Sequence, residues 1–255
     1  MERKEILQAL HTELARPIYN PFVRAVREFS LLRPGDRVAV CISGGKDSAL
    51  LGLLLDDYAA RAGLEVRFLA MDPGYPAENR RQLEENMARL GLPLTVFETD
   101  VLRVAGKHAP EHPCFLCAKL RRGALHDAAL AAGCKKVALG HHFDDVVETY
   151  MLSLMYEGRI SCFKPVTYLD RRGITLIRPL LYTPEHYIRS FARREALPIV
   201  HNPCPADGNT KRQEVKDLLR TLEKDNHGLR ERIFGAIQRY PLDGWEPDRE
   251  RYETK

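Results

Sequence analysis

The sequence predicts an α/β protein: a parallel sheet with helices on both faces, preceded by N-terminal helices and followed by a helical C-terminal extension. Three observations carry this fold class. Short apolar runs alternate with segments of helical period from residue 38 to residue 156, the pattern of parallel strands joined by crossover helices. The segments richest in polar chemistry fall just after predicted strands, where ligands bind in such sheets. A chain of 255 residues with 44% hydrophobic content is also long enough to bury a sizeable core.

The elements follow in order. Apolar residues recur at helical spacing in the first thirty residues, as Ile6, Leu7, Leu10 and Leu14 and then Phe22, Val23, Val26 and Phe29. Pro17 and Pro21 are expected to break them into two helices. RPGD at 33–36 is a turn. A strand at 38–42 then leads into a helix buried along 49–55, and a strand at 65–71 into a helix at 77–91. A third strand spans 94–99, a helix 116–133, a fourth strand 135–140 and a helix 144–156. The helices at 77–91 and 116–133 each close on glycine. Further on come a strand at 174–180, a helix at 184–196 opened by Pro184, a proline-rich connection, and a charged helical segment at 214–239. The expected organisation is an N-terminal helical segment at 1–32, an α/β domain at 33–200, a loop with C-terminal helices at 201–240, and a disordered tail at 241–255.

Composition narrows the function classes. No apolar run approaches the length of a membrane span. The N-terminus mixes both charges with spaced apolar residues, unlike a signal peptide, so the expected address is the cytoplasm. In that compartment six cysteines point to metal or redox roles rather than a disulfide framework. A net charge of +4 says little about nucleic acid. Basic clusters do recur at Lys119, Arg121 and Arg122, at Arg171 and Arg172, at Arg193 and Arg194, and at Lys211 and Arg212; brought together by folding they would form a phosphate-tracking surface.

Three motifs carry chemistry. SGGKDS at 43–48 stands between a predicted strand and a predicted helix. Its glycines allow close approach of backbone to a ligand, and the helix start offers unpaired N–H groups to an anion. The loop is shorter than G-x-x-x-x-G-K-[ST], so it is not that nucleotide-binding loop. Second, Cys114 and Cys117 form a C-x-x-C pair, with a distant third cysteine, Cys204, in HNPCPADGN. Three thiolates suit a [4Fe-4S] cluster with one iron left open, or zinc completed by His112 or His201. Third, GHHFDD at 140–145 ends a strand and opens a helix. Asp144 and Asp145 can cap that helix, or one of them can serve as a general base. Met71 and Asp72 close the second strand on the same sheet edge.

The order of these motifs, with LRRG after the C-x-x-C, resembles the tRNA 2-thiocytidine synthetases, cytidine-32 thiolation enzymes of the PP-loop ATP-pyrophosphatase superfamily. The similarity runs from about residue 38 to residue 219. It implies that Ser43, Gly44, Gly45 and Ser48 hold ATP phosphate, that Lys46 offsets its charge and that Asp47 acts through Mg2+. Met71, Asp72 and Gly140 would lie at the ATP site, with Asp145, Asp144, Lys46 and Arg121 as candidate catalytic groups. The resemblance also implies a [4Fe-4S] cluster on Cys114, Cys117 and Cys204. Many members have a second C-x-x-C around the third ligand; here its earlier position is His201, and Cys204 is assigned by counting back from Arg212 and Gln213. The implied reaction splits ATP into AMP and pyrophosphate while tRNA receives sulfur from a cysteine desulfurase or free sulfide. A homodimer is compatible with the family. The rival expectations are a lysidine synthetase-like or amidotransferase-like PP-loop ligase and a non-catalytic ATP-binding Fe–S sensor.

Overall fold

The computed structural model describes residues 3–109, 113–201, 203–204 and 210–248. Its strands are β1 (Arg37–Cys41), β2 (Glu65–Asp72), β3 (Leu94–Glu98), β4 (Lys136–Ala138), β5 (Val166–Leu169) and β6 (Ile174–Ile177). They form one sheet in the order β3-β2-β1-β4-β6-β5. Every pairing is parallel except that of β5 with β6. The order runs outward from β1 in one direction and then from β4 in the other. The gap between the loops that follow β1 and β4 is therefore the topological switch point, where sheets of this kind bind ligands.

Because strand side chains alternate, β1 serves two cores. Val38 and Val40 join a large cluster with Leu50, Phe68 and Phe191, whereas Ala39 joins a smaller one with Leu69, Ala129 and Val137. The smaller cluster lies under α6 (Pro113–Ala131), which packs with α5 (Val101–His108). The larger is shared by α1 (Arg3–His11), α2 (Asn20–Glu28), α3 (Lys46–Ala62), α4 (Ala77–Arg89), α7 (Phe143–Tyr156) and α8 (Glu185–Arg194). It extends into α9 (Lys211–Asp225) and α10 (Leu229–Arg239) through Leu219 and Phe234. Each such Leu or Phe contributes about 1.5–3 kcal/mol when fully buried.

The structure corrects several expectations. Two helices do form, but the break falls at 12–14, ahead of both prolines; Pro17 sits in a π-helical turn, Ala15–Tyr19, that runs directly into α2. Pro21 occupies the first turn of α2, where a missing N–H does no harm. Helix α5 and strand β5 were not foreseen, and β5 makes the sheet mixed. The strand expected to 180 stops at Ile177, ahead of Pro179, and Gly228, at φ +76°, divides the C-terminal helical segment in two. The tail from 241 was expected to be disordered. Instead Trp245 is 3% exposed, its indole N–H donates to the Phe163 carbonyl at 3.1 Å, and its ring packs edge-on against Phe29 and Phe234. Residues 249–255 lie outside the described residues.

Candidate active site

The SGGKDS segment turns from β1 into α3. Gly44 holds φ +85°, a conformation that suits glycine, and extended Gly45 caps the helix. The Ser48 hydroxyl donates to the Gly45 carbonyl at 2.9 Å and accepts the Ser43 N–H at 3.1 Å. These bonds leave the first-turn N–H groups of α3 facing a potential anion. Lys46 Nζ reaches Asp47 Oδ2 and Glu185 Oε1, each at 3.0 Å. Burial alone would lower the Lys46 pKa; the two carboxylates outweigh it and raise it. Asp47 Oδ1 is buried and has no hydrogen-bond partner, which fits a carboxylate oxygen reserved for a cation.

Gly140 belongs to this construction. A Cβ there would lie 3.3–3.4 Å from the backbone of Asp47 and Ser48, so a side chain would press on the start of α3. Beyond it, His142 caps α7: its ring accepts the Asp145 N–H and its own N–H donates to Asp145 Oδ2 at 3.0 Å. With Nδ1 accepting, Nε2 carries the ring proton, 3.8 Å from Asp47 Oδ1. Asp145 Oδ1 pairs with Arg212 at 3.3 Å. Asp144 accepts the Glu185 N–H at 2.7 Å and pairs with Arg230 at 3.2 Å. Both aspartates are thus engaged in helix capping and ion pairs, and neither lines the cleft described next.

A cleft of about 320 Å³ opens at the sheet's carboxyl edge. Ser43 and Gly45 stand at one part of its wall; Ile42, Leu69, Met71, Leu83, Val96 and Leu125 supply an apolar lining; Asp72, Asn79 and Arg80 supply polar groups. Arg121, Arg122, Val200, His201 and Pro203 also line it. The size and mixed lining suit a small organic ligand.

The cysteines stand beside that wall. Cys114 is exposed, while Cys117 and Cys204 are half-buried. The Cys117 thiol is pushed up first by burial; Arg121 opposes this, and Cys204 and Cys114 reinforce it. The Cys117 sulfur is therefore near enough to both of the others to feel their charge. Among the described residues, however, no three His, Cys, Asp or Glu side chains are close enough to hold a metal ion. Three soft donors that repel one another as thiolates fit a thiophilic cationic centre. His112 lies outside the described residues.

The remaining thiols differ. Burial pushes Cys162 up to about 12, and its thiol donates to the Val146 carbonyl at 3.4 Å; it is a poor nucleophile at neutral pH. Cys41 is likewise pushed up to about 12 by burial. Burial holds His141 neutral by lowering it to about 4, against the pull of Asp145. Sequence inspection missed Glu185, the carboxylate that holds both Lys46 and Lys216; its only local signal was a place in the first turn of a helix.

Comparison with known proteins agrees with this geometry. The PP-loop domain family matches residues 11–222. The chain is 40% identical to a tRNA-cytidine(32) 2-sulfurtransferase of Alkalilimnicola ehrlichii, over 84% of its own length and 70% of that protein. It is 36% identical to the protein of the same name from Geotalea uraniireducens, over 89% and 94% respectively. The solved U34-tRNA thiolase NcsA from Methanococcus maripaludis, determined with its [4Fe-4S] cluster, shares the fold. Its TM-score is 0.68 and its identity 21%, over 87% of this chain and 78% of that one. The chain belongs to the PP-loop family and, within it, to the tRNA-cytidine(32) 2-sulfurtransferase family.

Proposed function

We propose that this chain is an ATP-dependent tRNA sulfurtransferase that adenylates the C2 carbonyl of cytidine 32 and replaces its oxygen with sulfur. The observation that carries the proposal is one cleft with two ends. Ser43 and Gly45 line one part of it; Arg121, one helical turn from Cys117, and Pro203, next to Cys204, line another. The phosphate cradle lines the cleft, and so do residues close in sequence to Cys117 and Cys204.

ATP would lie with its phosphates on Ser43, Gly44, Gly45 and Ser48, its adenosine along Met71 and Asp72. Lys46 neutralises phosphate charge, and the partnerless Asp47 Oδ1 is the oxygen offered to Mg2+. The cytidine O2 attacks the α-phosphorus and pyrophosphate leaves; sulfide then adds to C2 and the adenylated oxygen departs as AMP. Arg121 stands between cleft and thiols and stabilises negative charge at the reacting carbon's phosphate. Asp144 and Asp145 act as positioning residues through α8, α9 and α10 rather than as bases. Cys114, Cys117 and Cys204 would hold a [4Fe-4S] cluster, which when bound supplies a site where sulfide is kept deprotonated. The sulfur donor, a cysteine desulfurase or free sulfide, and the pairing of two chains belong to the same proposal. So does a cytoplasmic address; among the described residues no helix is long and apolar enough to cross a membrane.

The test is anaerobic purification with iron and sulfide analysis, followed by incubation with ATP, Mg2+, sulfide and tRNA lacking the modification. About four irons per chain and ATP-dependent 2-thiocytidine in the digested tRNA are expected. A metal-free protein that adenylates another substrate would overturn the proposal in favour of a PP-loop ligase. ATP binding without pyrophosphate release would favour a sensor.

A further inference from the structure

The chain that carries Cys204 is tied to the phosphate loop ahead of that residue, and α9 behind it is tied to α7 and α8. On the near side, the Val200 N–H donates to the Gly44 carbonyl at 3.0 Å. The Val200 side chain packs so closely that a Cβ on Gly44 would lie 3.1 Å from it. Asn79, on the first turn of α4, donates its side-chain amide to the His201 carbonyl at 3.4 Å. On the far side, Arg212 donates to Thr149 Oγ1 at 3.0 Å and pairs with Asp145. Lys216 Nζ donates to Glu185 Oε2 at 2.9 Å, and Glu185 Oε1 holds Lys46 at 3.0 Å. Between these ties, Val200, His201 and Pro203 form part of the cleft wall, and the next residue is Cys204.

We infer that Val200, His201, Pro203 and Cys204 form a strap that couples nucleotide occupancy to the position of Cys204, with Asn79 and Lys216 as positioning residues. The inference rests on the proposed function, in which ATP fills the cleft and Cys204 is the third ligand. Val200 is already held to the phosphate loop and His201 to α4. A nucleotide packed against Val200, His201 and Pro203 restricts the strap further and holds the third thiol at one place relative to Cys114 and Cys117. By linkage, whatever holds the thiol in place also tightens nucleotide binding by the same factor. A strap of this kind readies the sulfur-accepting end of the cleft only when the activating end is loaded.

The test is thiol alkylation of the metal-free protein with iodoacetamide, each cysteine followed by mass spectrometry, with and without ATP and Mg2+. Calorimetry first establishes that ATP is bound and saturating. ATP is expected to slow alkylation of Cys204 by about five-fold or more, the lower range of allosteric couplings, while the Cys114 rate in the same molecules stays unchanged. Asn79→Ala, again at saturating ATP, should lose most of this protection, and Lys216→Met, which breaks the tie outside the cleft, should lose part of it. Bound ATP with no change at Cys204 overturns the coupling and leaves the functional proposal standing. Protection that persists fully in both variants also overturns it, since ATP then merely covers the thiol. Failure of ATP to bind at all strikes the functional proposal and the coupling together.

Discussion

The two ends of the cleft are built on different principles. At the phosphate end everything is in place in the folded chain: Gly44 makes the turn, Ser43 and Ser48 bond each other, and Lys46 is held by two carboxylates. At the thiol end the parts are near one another yet do not close on a metal-sized point among the described residues, and Cys114 and Cys204 make it harder for Cys117 to ionise. The difference teaches how each kind of site is stabilised. A cradle of backbone N–H groups is a by-product of starting a helix, so folding alone completes it. A set of like-charged soft ligands gains its energy from the ion, so completion is coupled to metal binding.

The sharpest way to break this comparison is Cys204→Ala. Thiolation should fall by more than the ~100-fold that loss of an outer-shell partner costs a metal site, with ATP affinity reduced only by the coupling factor. Iron analysis, calorimetry and nucleoside mass spectrometry measure the three quantities. Retained iron with full activity would remove Cys204 from the ligand set.

Gly140→Ala probes the preformed end. The added methyl meets backbone at 3.3–3.4 Å, which has little room to give, so the loop must shift. ATP affinity should weaken about ten-fold, or ~1.4 kcal/mol, while iron content stays normal. An unchanged ATP Kd would show that the phosphate end tolerates displacement and is less preorganised than its hydrogen bonds imply.

The effect of Glu185→Gln is read as stability rather than as binding. Burial pushes the Glu185 carboxyl up, but the Lys216 and Lys46 ammoniums more than reverse this and hold it well below its ordinary value of 4.5. A depressed folded-state pKa contributes stability that is complete above the unfolded value and is lost as pH falls below it towards the folded value. Glu185→Gln should therefore unfold more easily than the parent by about 2 kcal/mol at pH 7, less than the 3–5 kcal/mol of a fully buried pair because both lysines are partly exposed. The gap should narrow as pH drops below about 4.5. Denaturant titrations at pH 7 and pH 4 measure it; a gap independent of pH would mean that the carboxylate's charge is not what matters.

Much of this site was legible along the chain. Strand, glycine turn and helix start occur within Val38 to Leu55, so the phosphate cradle is a local feature, and the C-x-x-C pair lies on one helical turn of α6. What was not legible depends on residues far apart. Asp144 and Asp145 invited a catalytic assignment because acidic residues after a strand suit both capping and proton transfer. Their partners Arg212 and Arg230 lie on helices that no local pattern connects to them. Strand β5 was hidden because four residues, VTYL, are too few to show a period. Trp245 was assigned to a disordered tail because its neighbours are charged and polar, whereas the cavity it fills is made by Phe29, Phe163 and Phe234.

The sequence by itself determined the α/β class and the glycine turn that joins β1 to α3. The class is set by a periodicity repeated from residue 38 to residue 156, and the turn by residue type and spacing over fewer than twenty residues. Only the tertiary structure decided that Glu185 pairs with Lys46, that the aspartates of GHHFDD cap helices and pair with arginines, and that the Cys204 strap is tied to the phosphate loop. Those are electrostatic and packing relations between segments brought together by the sheet order. Ion pairs of this kind act over a few ångströms, and separation along the chain carries no information about them until the fold has closed.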